Sequence, residues 1–335
     1  GNVLITGHFS GTVDFDPGPQ NFFLTSKGKV DIFVQKLNAS GELLWVHSFG
    51  DVHNDVGYSV AVDASENVYV TGAFNGSVDF DPGNASHVLT APTLFSPQSD
   101  VFIQKLDKNG NFLWAKSIGS EEKDVGKSVS VDALGNVYVS GSYAYWRPVD
   151  FNPGPGTFFM TSKGHGDIFV EKLDPNGNFV WAKSIGGDSD EEGVSLSLDA
   201  GGNVYIGGYF SDTVDFNPSS SAEFKLVAPN GRRASFVEKL DANGEFVWAQ
   251  RIGEGSLVVQ HSDLTIDPSG NVLMTGHFAG AVDFDPSAGT FNLSALAGYD
   301  VYVSKLDPHG SLMWAKSIGG MNSDFGNAIA KDISG

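Results

Sequence analysis

Short runs of alternating apolar and polar residues, six to eight long, recur along the chain: NVYVTGAF from Asn67, DVFIQKL from Asp100, FLWAKSIG from Phe112 and SVSVDA from Ser128. Successive side chains on extended backbone face opposite sides, so alternation rich in Val, Ile and aromatic residues predicts strands rather than helices. The same set of runs returns in units starting at Asn2, Asn67, Asn136, Asn203 and Asn271, with spacings of 65, 69, 67 and 68 residues. A period of this length marks a supersecondary unit that buries its apolar faces by stacking on its neighbours.

The runs are called A (SVSVDA), B (NVYVTGAF), C (DVFIQKL) and D (FLWAKSIG). C joins D through tight turns such as Asp107–Gly110 and Asp174–Gly177, and A joins B through turns such as Asp132–Asn136. Such short Asx and glycine turns make hairpins. The other connections are longer: B to C carries VDF[D/N]P, and D to A carries acidic loops such as Gly50–Gly57. Turns of a meander alternate between its ends, so both kinds of long loop lie on one face. The expected fold is all-β, a five-bladed β-propeller of four-stranded antiparallel blades forming a single domain over residues 1–335. The chain opens on a strand B and stops just after a strand A, which predicts a ring closed by pairing the two.

Composition narrows the function. Of 335 residues, 41% are hydrophobic, 42 are glycine and 14 are proline, enough apolar surface for a large core with frequent turns. The absence of cysteine rules out disulfides and thiol chemistry. A formal net charge of -20 argues against nucleic acid as a partner, because phosphate binding needs clustered Lys and Arg. No apolar run approaches the roughly 20 residues that span a bilayer. The opening GNVLITG lacks a basic leader, so a monomeric domain that is a mature or excised piece of a larger protein is expected.

The set VDFDPG, DIFVxKLD, NGNFxWAKSIGG and VDxxGNVYVTG resembles the bacterial β-propeller repeat family of secreted and surface proteins found in Bacteroidetes and related bacteria. The resemblance covers essentially the whole chain and implies an extracellular or cell-surface location and a role beside adhesion modules. It does not imply a reaction.

VDF[D/N]P is the foremost candidate site. Its paired oxygens are Asp14 and Asp16, Asp79 and Asp81, Asp150 and Asn152, Asp215 and Asn217, and Asp283 and Asp285. On extended backbone the members of each pair share a face about 7 Å apart. They can hold a hard cation, Ca2+ being the natural one, or cap backbone N–H groups at a tight turn. Spacing alone leaves both open.

Further acids open strand C (Asp31, Asp100, Asp167, Asp300) and precede strand A (Asp55, Asp124, Glu191, Asp324), with Ala234 and Val259 replacing them in the fourth unit. Hydrogen bonding to the next blade or ion binding would explain them. Trp45, Trp114, Trp181, Trp248 and Trp314 share one position and read as blade packing. The insertion YAYWRP, with Tyr143, Tyr145, Trp146 and Arg147, is a candidate anchor for a glycan or protein partner, or a local plug. His8 and His277 are repeat equivalents, and Arg232 and Arg233 mark a divergent fourth unit. The composite expectation is a non-catalytic binding, adhesion or scaffold module. A carbohydrate-binding lectin is the alternative, and a glycoside-cleaving enzyme the remote one, because catalytic carboxylates need unlike surroundings and these acids are copies.

Overall fold

The computed structural model describes residues 1–92, 98–144, 147–219, 222–229, 233–255 and 259–332. Among these residues the elements are strands. Two compact units are present, one of Gly1–Thr161 with Glu171–Val180 and the other of Ser162–Val170 with Trp181–Gly335.

In the first unit, the sheet of the second repeat runs Phe112–Ile118, Asp100–Leu106, Val68–Phe74, Val56–Val62, each neighbour antiparallel. This is the expected D, C, B, A order, with strand A supplied by the preceding repeat. Every side chain of Val68–Phe74 and Asp100–Leu106 is buried, whereas Phe112–Ile118 at the sheet edge alternates. In the third repeat Val125–Val131 pairs antiparallel with Val137–Ala144, and strands C and D are Gly166–Leu173 and Phe179–Gly187. The first has only Val3–Phe9, Asp31–Leu37 and Leu43–Phe49. Val3–Phe9 pairs with Asp31–Leu37 and is largely half-exposed, unlike its repeat equivalent Val68–Phe74.

The B-to-C connection contains an element that the sequence pattern did not reveal. VDF[D/N]P starts a two-stranded ribbon, Thr12–Asp14 pairing with Phe23–Thr25, Ser77–Asp79 with Val88–Thr90 and Val149–Asp150 with Phe159–Met160. Strands of two or three residues are too short to display periodicity. The ribbon drops Val78 and Phe80 into the core, fully buried. The Phe80 ring lies 5.9 Å from Phe49 of the preceding repeat and 5.5 and 5.0 Å from Phe74 and Phe102 of its own. Burial of one such side chain is worth about 1.5–3 kcal/mol.

Repeats are also fastened at their outer strands. Trp45 Nε1 donates to the Lys108 carbonyl and Trp114 Nε1 to the Pro175 carbonyl, each at 3.2 Å, and both acceptors lie in the C-to-D hairpin of the following repeat. Gly110 and Gly177 in those hairpins have φ of +84° and +77°. A Cβ at either would come within 3.0 and 3.1 Å of the indole, so glycine is required for both conformation and space. Trp45 and Trp114 are thus packing residues.

In the second unit, Glu192–Leu198, Val204–Phe210, Ala234–Leu240 and Phe246–Ile252 form one A-to-D sheet, and Val259–Ile266, Val272–Phe278, Asp300–Leu306 and Leu312–Ile318 another. Thr213–Asp215 pairs with Lys225–Val227, and Ala281–Asp283 with Asn292–Ser294, as ribbons. Trp248 Nε1 donates to the Pro308 carbonyl at 3.0 Å. Residues 319–332 carry no strand.

Candidate functional site

Each VDF[D/N]P copy forms the same turn. The first aspartate accepts two backbone N–H groups at Oδ1: Asp14 from Asp16 and Phe22, Asp79 from Asp81 and His87, Asp150 from Asn152 and Phe158, Asp215 from Asn217 and Phe224, and Asp283 from Asp285 and Phe291, all at 2.7–3.1 Å. The second side chain caps again, from Asp16 to Gly18, Asp81 to Gly83, Asn152 to Gly154, Asn217 to Ser219 and Asp285 to Ser287. Asp and Asn are interchangeable at that place because each offers one acceptor oxygen. Burial acts upward on the Asp79 carboxyl, yet the His87 and Asp81 N–H groups outweigh it and hold the group below its usual range. Among the described residues no group of three or more His, Asp or Glu is placed to hold a metal.

The second set of acids lies in pairs, all buried except the half-buried Asp324. Asp31, Asp100, Asp167 and Asp300 sit at the start of strand C, and the residue before each offers its carbonyl to the N–H of the partner acid. Val30 thus accepts from Asp55, Ser99 from Asp124, Gly166 from Glu191 and Tyr299 from Asp324. The carboxylates themselves clip neighbouring loops. Asp55 accepts from Asp51 and Asn75 N–H, Asp124 from Ser120 and Ala144 N–H, and Asp167 from Lys163 N–H and Ser184 Oγ. Asp51, Asn75, Ser120 and Lys163 donate from adjoining loops, Ala144 from the end of its strand B and Ser184 from strand D.

The pairing leaves a mark on their protonation. Burial, followed by the nearby Asp124 charge, pushes Asp100 up to about 8. Burial likewise raises Asp124 to about 7, Glu191 to about 7 and Asp55 to about 6. In the fourth repeat both members are apolar and buried, Ala234 and Val259. The acid pair is thus lost as a unit.

The YAYWRP expectation divides. Tyr145 and Trp146 lie outside the described residues. Tyr143 is buried, not exposed on a loop, with its ring 5.2 Å from Phe151 in the place that Phe74 fills against Phe80. Arg147 is exposed and pairs with Glu121 at 3.0 Å. His277 stacks edge-on against Tyr299 and Phe325, an aromatic contact. Arg233 lies 4.5 Å above the Tyr209 ring, and Arg232 is outside the described residues.

Two polar constellations escaped the sequence reading. Ser195 Oγ lies 2.7 Å from His261 Nε2, both buried, and burial lowers the His261 imidazole to about 3. Glu171 and Glu238, in the middle of strand C, are fully buried. Aligning the repeats on strand C, with Gln35, Gln104 and Ser304 in the same column, is the signal that exposes these glutamates. An open groove of about 290 Å3 in the first unit is lined by His47, Asp81, Asn84, Asn109 and Asn111 among others.

No family model matches the chain. It is 25% identical over 362 residues to the uncharacterized WD repeat-containing protein L264 of Acanthamoeba polyphaga mimivirus, covering 92% of this chain and 26% of that protein. It is 28% identical over 248 residues to the regulatory protein FlaEY of Caulobacter vibrioides, covering 71% of this chain and 24% of that protein. The chain thus spans about a quarter of the length of these curated relatives. A solved protein of unknown function from Bacteroides caccae aligns over 93% of this chain and 94% of its own with a TM-score of 0.29 and 10% identity, too weak to carry an argument. Repeated four-stranded antiparallel sheets and the WD-repeat relative together fit a repeat protein of the β-propeller kind.

Proposed function

We propose that the chain is a non-catalytic display scaffold of an extracellular or bacterial cell-surface protein, which binds a partner through the ribbons of its B-to-C connections. One observation carries this reading. The oxygens that recur from repeat to repeat are engaged in holding the turns, while the ribbon position that faces solvent changes from Phe23 to Val88, Phe159, Lys225 and Asn292. Phe23, Val88 and Phe159 are 60%, 54% and 62% exposed, a row of large apolar side chains that is more than half open to solvent. Immobilised protein is expected to retain cells bearing the partner, and the Phe23→Ser, Phe159→Ser double variant to release them with its melting midpoint unchanged. Equal retention by the variant overturns the reading.

The groove beside His47 and Asp81 supports carbohydrate as the second reading, since amide and carboxylate side chains there suit hydroxyl groups. A glycan array that is blank, or unchanged by Asn84→Ala, removes it. Of the two roles open to VDF[D/N]P, capping agrees with the N–H donors on each Oδ1. Dialysis against EGTA is expected to leave the melting midpoint where it was. A fall would return the turns to Ca2+, because a ligand bound only by the folded state stabilises it. Five blades closing into one ring, through residues 324–332 pairing with Val3–Phe9, remains part of the proposal.

A further inference from the structure

Strand C carries one side chain per repeat beneath the VDF[D/N]P turn. In the first two repeats it is glutamine, and its amide donates to the phenylalanine carbonyl of the motif: Gln35 Nε2 to Phe15 O at 2.6 Å and Gln104 Nε2 to Phe80 O at 2.7 Å. In the third and fourth repeats the same column holds Glu171 and Glu238. Both are 0% exposed, and among the described residues none of their four carboxyl oxygens meets a hydrogen-bond donor.

An ionised carboxylate without a donor is not tolerated in such a place, so something must neutralise it. Among the described residues the surroundings supply no base. Glu238 stands opposite Ile206 on strand B and Ala249 on strand D. The charged group that acts on it is Asp215 at the foot of the ribbon, which opposes ionisation, and burial alone acts on Glu171. A hard cation would need several oxygen ligands. The glutamine repeats show that this place takes one donor and one carbonyl acceptor.

The repeats add an independent sign. Where strand C has Gln or Ser (Gln35, Gln104, Ser304), the second turn residue is aspartate (Asp16, Asp81, Asp285). Where it has Glu (Glu171, Glu238), the turn residue is asparagine (Asn152, Asn217). A repeat carries an ionisable carboxyl in one of the two places and never in both.

We propose that Glu171 and Glu238 are held as neutral carboxylic acids that donate their protons to the Phe151 and Phe216 carbonyls, giving two of the ribbons a proton-operated latch. The first two repeats carry the permanent, amide version of the same bond. Both glutamates are raised well above their ordinary range, with burial the leading cause, in keeping with that geometry. An acid that is neutral when folded and charged when unfolded stabilises less as pH rises. Its contribution is complete below the unfolded value, near 4.3, and is lost progressively up to the folded value. Raising the pH therefore loosens the third and fourth ribbons and spares the first two.

The test uses the Glu171→Gln, Glu238→Gln double variant, which installs the side chain of the first two repeats and so keeps the packing. Wild-type protein at pH 7 is expected to show the infrared carbonyl band of protonated carboxyl groups, diminished in the variant by two groups per chain. The folding equilibrium constant of wild type is expected to fall relative to the variant by up to about tenfold per pH unit for each glutamate between pH 5 and 8. Identical infrared difference spectra at pH 7, or parallel stability profiles, overturn the proposal. So does stabilisation of wild type alone by Na+ or Ca2+, which would put a cation in place of the proton.

Discussion

Gly207 and His261 exchange volume. The column of Gly207 holds Thr6, Thr71, Ser140 and Thr275 elsewhere, and the column of His261 holds Gly57, Gly126, Gly193 and Gly326. In the ordinary arrangement a Cβ on Gly57 or Gly126 would meet the hydroxyl of Thr6 or Thr71 at 2.4 Å. In the divergent one a Cβ on Gly207 would meet His261 Nε2 at 2.2 Å. His261→Gly leaves a void and Gly207→Thr forces a clash, each expected to cost about 2–4 kcal/mol. The double variant restores the common pair and is expected to recover most of that loss, which urea midpoints will read as a coupling well beyond 0.5 kcal/mol. Additive losses would contradict the exchange. Such swaps are visible in the sequence only after the repeats are superposed on their register, because either change alone looks like drift.

The strands were legible because their alternation lasts seven residues, enough to separate a period of two from one of 3.6. The ribbons were not, and neither were the partners of the buried acids, since the chain pattern says that Asp100 and Asp124 recur but not which N–H groups reach them. Those acids set an expectation for the loops they clip. Asp100, Asp124 and Glu191 retain protons when folded at pH values where the unfolded chain has released them. The folded state therefore binds more protons between pH 6.5 and 8, and stability falls as pH rises across that window. His261 opposes this trend only below about pH 6.5, where the unfolded chain takes up protons that the buried ring refuses. The melting midpoint is expected to drop by several degrees from pH 6.5 to 8, and Asp100→Asn to flatten the slope. A midpoint independent of pH in wild type would show the acids ionised throughout.

For the whole molecule, the offset between repeat and sheet leaves two unmatched pieces. Among the described residues Val3–Phe9 has no strand A beside it, and DFGNAIAKD at 324–332 carries the pattern of DVGYSVAVD at 55–63 without lying in a sheet. In the second repeat Val60 stands opposite Val70. Aligned on that pair, Ile329 would stand opposite Ile5. The chain has no cysteine of its own, so the Ile5→Cys, Ile329→Cys variant is a clean probe. Ring closure is expected to give a monomer with an internal disulfide on mild oxidation, seen as faster migration without reductant. Free thiols or crosslinked multimers would instead mean that these edges belong to further repeats of a longer array.

The indoles acquire a use from their position. Trp114 is covered by the hairpin at Gly177, in the repeat that follows it, and Trp45 by the hairpin at Gly110. Each emission spectrum therefore reports on the integrity of the next repeat rather than its own. A chain reduced to one of these fluorophores at a time would let the order in which the repeats come apart be followed by light, with no foreign label attached.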